Sequence, residues 1–268
     1  MLVGPAISLW KNRALIWRLA RREIEARFRG SFLGLFWAVI APLAMLGVYS
    51  LVFGSLLGAR WALPEAVPQA FSFPMLLFLG LIIFGILSEP LNRAPGLILE
   101  NVSYVKKVVF PLEILPVVSL ITALVNAVIS FAVFLVVYVL FYGPPPVTAL
   151  LLPLAVLPLA LVTLGLVYLL SSLGVFLRDL GHVVPLLSTA MLFLSSVFFP
   201  PEAMPEHFRP FLYLNPITMA VNHARDLVFW GTLPHPAEWL TYLLACALVF
   251  AIGAFWFMRT EKAFADVL

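Results

Sequence analysis

The sequence predicts an all-α membrane protein with six transmembrane helices, an N-terminal amphipathic helix and short re-entrant outer helices between spans five and six. Three observations predict it. Of 268 residues, 63% are hydrophobic and only 11% charged, whereas a soluble domain carries roughly 25% charge. Apolar runs recur along the whole chain, each suited to the ~20 residues that one crossing needs. Lysine and arginine gather at alternate ends of those runs. A chain so poor in charge has no means of covering a water-facing surface, so its apolar excess faces lipid.

Residues 1–32 form the N-terminal region. The stretch 12–30 has too many charges to cross a bilayer. On a helical wheel Leu19, Ala20, Ile24 and Phe28 share one side, and Arg18, Arg21, Arg22, Glu25 and Arg29 the other. Glu23 and Arg27 interrupt the apolar side at i,i+4 spacing, which suits an ion pair. An amphipathic helix of this kind lies at a membrane surface. Two roles are open to it: an anchor whose arginines hold this end inside, or a platform where they meet an anionic lipid-linked substrate or partner surface. A full-length span follows the basic stretch, in place of a short apolar core with a small-residue cleavage site, so the first span is expected to stay in the mature protein.

The six-span domain covers residues 33–258, with apolar runs at 33–57, 71–87, 111–141, 148–177, 183–199 and 239–258. The third and fourth are long enough to tilt or protrude. Pro153 and Pro158 either kink the fourth or mark its entry. Between the second and third runs, Pro95 and Gly96 break the chain before a short helix at 97–107. That connection is long for a simple turn, so it either solvates the turn or docks a soluble partner. Arg178-Asp179 after the fourth run is a local ion pair or a second docking point. Segment 200–236 stays rich in aromatics but is chopped by prolines and by Gly231. Helices at 208–214 and 217–230 make it a re-entrant pair, with an interfacial aromatic belt as the alternative.

Charge sets the orientation. With both termini inside, thirteen of the sixteen Lys and Arg lie inside, and Arg60, Arg209 and Arg225 outside. The cytoplasmic tail is then 259–268, and both termini are cytoplasmic.

The residues that chemistry needs are scarce. His182, His207, His223 and His235 are scattered, with no spacing that suits zinc. Cys246 has no second cysteine to bond and reads as a small buried hydrophobe. There is no G-x-x-x-x-G-K-[ST] loop to cradle a nucleotide, so ATP-driven work would need another polypeptide. Glu89 and Glu113 sit at span ends, where carboxylates reach interfacial water. Aromatics are plentiful: Phe36, Trp37, Tyr49 and Phe53 on the first span, Phe193, Phe198 and Phe199 on the fifth. Such rings stack on sugar faces, or pack against helices and lipid.

Four patches, in this order, carry a family resemblance. They are Arg27-Phe-Arg-Gly-Ser-Phe-Leu-Gly-Leu-Phe-Trp-Ala with Pro42; Val105-Lys-Lys-Val-Val-Phe-Pro-Leu-Glu-Ile-Leu-Pro; Phe176-Leu-Arg-Asp-Leu; and Tyr213-Leu-Asn-Pro-Ile-Thr with Ala224-Arg-Asp-Leu and Gly231. From about Leu15 to the C-terminus, the chain resembles the permease subunit of type-2 ABC polysaccharide exporters, the Wzm family of O-antigen exporters and their teichoic-acid relatives. The short outer loop Gly143-Pro-Pro-Pro departs from the pattern.

The resemblance implies a homodimer of six-span subunits in the bacterial inner membrane, driven by two copies of a separate nucleotide-binding ATPase. This chain would bind no cofactor or metal; ATP and Mg2+ would sit on that partner. The coupling helix maps onto 97–107, with Glu100, Asn101, Tyr104, Lys106 and Lys107, and with Arg178 and Asp179 as a second contact. Gate helices map onto about 208–230, with Tyr213, Asn215, Pro216, Arg225 and Asp226. Spans one and five would border the path with the aromatics named above. A polyprenyl-diphosphate-linked glycan would enter at Arg18, Arg21, Arg22, Arg27 or Arg29, since guanidinium forks match phosphate oxygens. Nothing points to nucleic acid. Alternatives are an exporter of teichoic acid, capsule, lipid or a hydrophobic small molecule, and a membrane enzyme acting on lipid-linked sugars.

Overall fold

The computed structural model describes residues 8–28, 33–56, 69–107, 110–201 and 204–268, and every regular element among them is a helix. Arg29 and Arg60 lie outside the described residues, as does the side chain of Lys107. In chain order the α-helices are α1 (Arg13–Phe28), α2 (Trp37–Tyr49), α3 (Gln69–Arg93), α4 (Val102–Lys107), α5 (Ile114–Tyr142) and α6 (Leu152–Phe176). They continue with α7 (Leu180–Phe193), α8 (Arg209–Leu214), α9 (Pro216–Arg225), α10 (Pro236–Thr260) and α11 (Phe264–Val267).

Four stretches are long and apolar enough to cross a membrane: Phe73–Gly96, Ile114–Tyr142, Val147–Phe176 and Pro236–Val267. The first and fifth apolar runs are not the uninterrupted helices the sequence suggests. In the first, a 3-10 turn at Gly34–Phe36 leads into α2, which loosens after Tyr49 into a π-helical stretch, Ser50–Leu56. In the fifth, α7 stops at Phe193, six residues short of the expected end. The serines that follow compete for backbone groups. The Ser195 hydroxyl donates to the Leu192 carbonyl at 2.7 Å.

Helix α3 is the central column. Met75, Leu76, Leu77, Leu79, Ile83 and Leu87 are all at most 2% exposed, and the helix touches α2, α5, α6, α7 and α9. A helix apolar on every side belongs in such a position. The expected second run ended at residue 87, but α3 continues through Pro90 to Arg93. At the start of α6, Pro153 occupies the first turn, where its missing N–H costs nothing, while Pro158 lies inside the helix.

Two close backbone contacts fix α6. At Gly165 an added Cβ would meet Phe250 Cα of α10 at 2.5 Å, and at Gly253 of α10 it would strike the Gly165 carbonyl. Only glycine allows helices this near. Lower on α6, a Cβ at Gly174 would lie 2.7 Å from Pro95 Cα, in the 3-10 turn Ala94–Gly96 that follows α3. Gly174→Val is therefore expected to push that turn away, at a cost of about 1–3 kcal/mol. Lower thermal stability in detergent and faster proteolysis at residues 94–101 would report it; an unchanged profile would refute the contact.

The apolar face of α1 packs on protein. Ile16, Leu19 and Ala20 are buried against Ile114 and Val118 of α5, while Trp10 and Trp17 are exposed. A second cluster gathers Leu97, Ile98, Leu115, Tyr168, Phe257 and Phe264, so α11 folds back beneath the turn after α3.

Candidate functional site

The polar residues of the described chain concentrate at two places. One is the rim where α1, the end of α3 and the start of α5 meet. The other is the break after α7, at the opposite end.

At the rim Arg93, in the last turn of α3, reaches two carboxylates. Its Nη1 donates to Glu23 of α1 at 2.8 Å and its Nε to Glu100 at 3.2 Å. The Thr122 hydroxyl of α5 completes the Glu23 end at 3.4 Å. One turn along α1, Arg27 donates to Glu89 at 3.0 Å, and the Asn126 amide donates to the same oxygen at 2.9 Å. The anticipated Glu23–Arg27 pair is thus replaced by two pairs directed at α3. Both side chains leave their own helix because α3 and α5 offer partners that are partly shielded from water.

A cavity of about 510 Å3 opens beside this pair, with Arg27, Trp37, Tyr49, Phe78, Glu89 and Asn126 among its lining. A neighbouring hollow of about 340 Å3 is bordered by Glu23, Arg27, Glu89, Arg93 and Thr122. The polar ends of both carry balanced charge.

The other arginines of α1 are also engaged. Arg21 pairs with Glu25 at 2.8 Å, Arg18 donates to the Ala14 carbonyl and Arg22 to the Tyr104 hydroxyl at 3.2 Å. Tyr104 in turn stacks on Phe110 with centroids 4.4 Å apart. The segment 97–107 forms a 3-10 turn, Leu99–Asn101, followed by α4. Asn101 folds onto the Leu97 carbonyl, and Lys106 donates to the Leu268 carbonyl at 2.5 Å. Glu113 accepts from Ser8 at 2.6 Å, and its backbone carbonyl receives the Tyr168 hydroxyl. Arg178 and Asp179 lie between α6 and α7 and are exposed. Among the described residues neither forms an ion pair, so the local-pair reading of this dipeptide fails.

At the opposite end the chain leaves helix at Leu194 with its carbonyls unspent. Two side chains take them up. The Asn215 amide donates to Met191 and Leu194 carbonyls at 2.7 and 2.8 Å, while its oxygen caps α9 by accepting from Ile217 N–H. Arg225, 2% exposed, donates to the carbonyls of Ser196 at 2.5 Å, Val197 at 2.8 Å and, on α3, Leu76 at 3.1 Å. It lies over Gly80, where a Cβ would come within 3.2 Å of its Nη2. Pro216 opens α9, and its carbonyl accepts from the Tyr242 hydroxyl of α10 at 2.8 Å. Asp226 begins a π-helical stretch, Asp226–Trp230, that ends at left-handed Gly231. Burial and then the charge of Glu238 raise the pKa of Asp226, and neighbouring Arg225 opposes them.

The aromatics divide. Phe36, Trp37 and Phe193 are exposed, Phe193 stacks on Phe198 at 5.2 Å, and Phe199 is half-buried. Tyr49 and Phe53 are half-buried against the main core, Phe53 beside Phe73 at 5.4 Å. Tyr213 on α8 is 48% exposed. Sequence reasoning missed Arg93, Thr122 and Asn126 as site residues. Asn126 had a usable signal: it is the one amide in the third apolar run, one turn from Thr122.

The chain resembles known proteins over about nine-tenths of its length. The family model described as ABC-2 type transporter matches residues 14–229, from α1 through the stretch after α9. The O-antigen export system permease protein RfbA of Myxococcus xanthus is 31% identical over 90% of both chains. The protein of the same name from Klebsiella pneumoniae is 23% identical over 93% of both, and the polysialic acid transport protein KpsM of Escherichia coli 27% identical over 90% of this chain and 92% of its own. With the matched region taking in the rim, the central column and the break after α7, the chain belongs to the ABC-2 type transporter family, as a membrane transport subunit and not an enzyme.

Proposed function

We propose that two copies of this chain form the membrane pore of an ATP-driven exporter that moves a polyprenyl-diphosphate-linked polysaccharide, of O-antigen type, out across the bacterial inner membrane. The observation that carries the reading is the likeness, over about nine-tenths of the chain, to permeases named for O-antigen and polysialic acid export. In this reading α2 with its π-helical continuation, and α7 with residues 194–200, complete six spans alongside the four long helices. Both termini and the rim are cytoplasmic, as the excess of Lys and Arg there requires. The segment 97–107 touches the ATPase, α8 and α9 close the outer mouth, and the diphosphate arrives at α1.

An anion arriving at α1 would meet side chains that are already engaged. Arg21 and Arg27 already have carboxylate partners, so a diphosphate must draw them away. It supplies more negative charge than one carboxylate, and Arg18, Arg22 and Arg29 add further forks. Reversing Arg27 and Arg29 together to glutamate should abolish surface glycan in cells that otherwise export it. Permease level and orientation, checked with a C-terminal reporter, should be unchanged. Surface glycan at wild-type amounts would remove α1 as the entry point. Co-purification with the ATPase, with ATP hydrolysis that depends on both proteins, tests the exporter itself. The likeness to KpsM favours one second reading, a capsular acidic glycan as cargo. Restoring capsule but not O-antigen in export-deficient cells would select it.

A further inference from the structure

We infer that Arg93 is a positioning residue that ties the segment 97–107 to α1, so that motion imposed on one is delivered to the other. The inference rests on reading that segment as the contact for the ATPase, but its mechanical content does not depend on the cargo.

One guanidinium holds two elements on two of its edges. Nη1 faces Glu23, in the middle of α1, and Nε faces Glu100, in the turn that opens the segment. The two arms are unequal. Glu23 is 18% exposed and shares its carboxylate with Thr122 of α5, whereas Glu100 is 52% exposed. Water and salt weaken the exposed arm more than the shielded one. The Glu100 contact is therefore the one that yields first, and the Glu23 contact the one that keeps α1 attached to α3.

The remaining contacts suit this role. Leu97 and Ile98 seat the base of the segment in the cluster with Phe257 and Phe264, against which Tyr104 also packs, while Glu100 reaches Arg93 on α3 and the Tyr104 hydroxyl reaches Arg22 of α1. Arg22 to Tyr104 is a second, weaker strand between the same two elements. Apolar contacts hold α1 to α5 through Ile16, Leu19 and Ala20, all N-terminal to Glu23. Among the described residues, none in the half of α1 that bears Arg27 enters a buried apolar cluster; its bonds to α3 and α5 are polar, through Glu23 and Arg27, which makes it the half freer to move. A lysine cannot replace Arg93, since one ammonium on a flexible stem lacks the planar fork that meets two carboxylates at once.

The test uses the full permease reconstituted with its ATPase, in a Cys246→Ala background. Spin labels go on α1 (Ala26→Cys) and α5 (Val128→Cys), both exposed positions. ATP binding is expected to shift the distance between the labels. Glu100→Gln and Glu23→Gln should each reduce that shift at least about twofold, the double variant no further than the stronger single, because two links in series do not add. Arg93→Lys should match the double. A wild-type distance that ATP leaves unchanged, a full shift in either single variant, or additive losses would each overturn the relay. A complex that moves α1 but carries no glycan sinks the cargo reading and leaves the relay standing. An exporting complex with a still α1 does the reverse.

Discussion

Replacing Gly253 with leucine should leave little folded permease in detergent, the largest loss expected from any single change in the spans. The obstacle is backbone. A Cβ at 253 runs into the Gly165 carbonyl of α6, and one at 165 meets Phe250 Cα of α10. No rotamer relieves a clash made by the Cβ itself, so α6 and α10 must part along their length. Overpacking a core whose side chains can yield costs about 1–3 kcal/mol, and an obstruction that cannot yield lies above that range. Parting also breaks the Ser172–Thr260 hydroxyl bond of 2.7 Å and the edge contact between Tyr168 and Phe257. Size-exclusion profile and thermal unfolding measure the effect, with Gly253→Ala as a milder companion. A leucine variant melting within about 2 °C of wild type would sink the claim.

The second large effect is expected at Arg225. Truncation to alanine strands the carbonyls of Ser196 and Val197 in a site that is 2% exposed, and takes a second donor from the Leu76 carbonyl of α3. Each buried group left so costs about 1–3 kcal/mol. Arg225→Lys should recover only part, since an ammonium does not reach three acceptors arranged for a planar fork. Asn215→Ala should do less damage than Arg225→Ala: it frees two carbonyls and removes a helix cap worth about 0.5–2 kcal/mol. Urea or thermal titrations of the three variants give the ranking. Equal stability of Arg225→Ala and wild type would mean that the chain after α7 finds other donors.

Much of this was legible from residues alone. Apolar runs located the four long apolar helices, and Pro95-Gly96 marked a break before a short helix. The same holds for Asn215-Pro216, which divides α8 from α9. What composition did not reveal was the end of α7. Leu194–Pro200 is nearly as apolar as the helix before it, and its path is held jointly by the local Ser195 hydroxyl and by donors about twenty to thirty residues away. Arg225 was legible as a basic residue of the outer segment, but its burial was not, because burial depends on Gly80 leaving room on α3. The rim shows a similar limit. Local spacing favoured a Glu23–Arg27 pair worth about 0.2–0.5 kcal/mol, a preference small enough for α3 to overrule.

Helix α3 has a consequence for how the protein senses its surroundings. Walled in by five neighbours, it meets almost none of the annular lipid, so acyl-chain length and fluidity reach it only second-hand. Its residues answer to one another's shapes, whereas α5 and α10, with much of their surface open, bear the bilayer's influence directly. Substitutions of equal size should therefore be felt alike in every membrane on the first helix, and differently from one lipid mixture to the next on the other two.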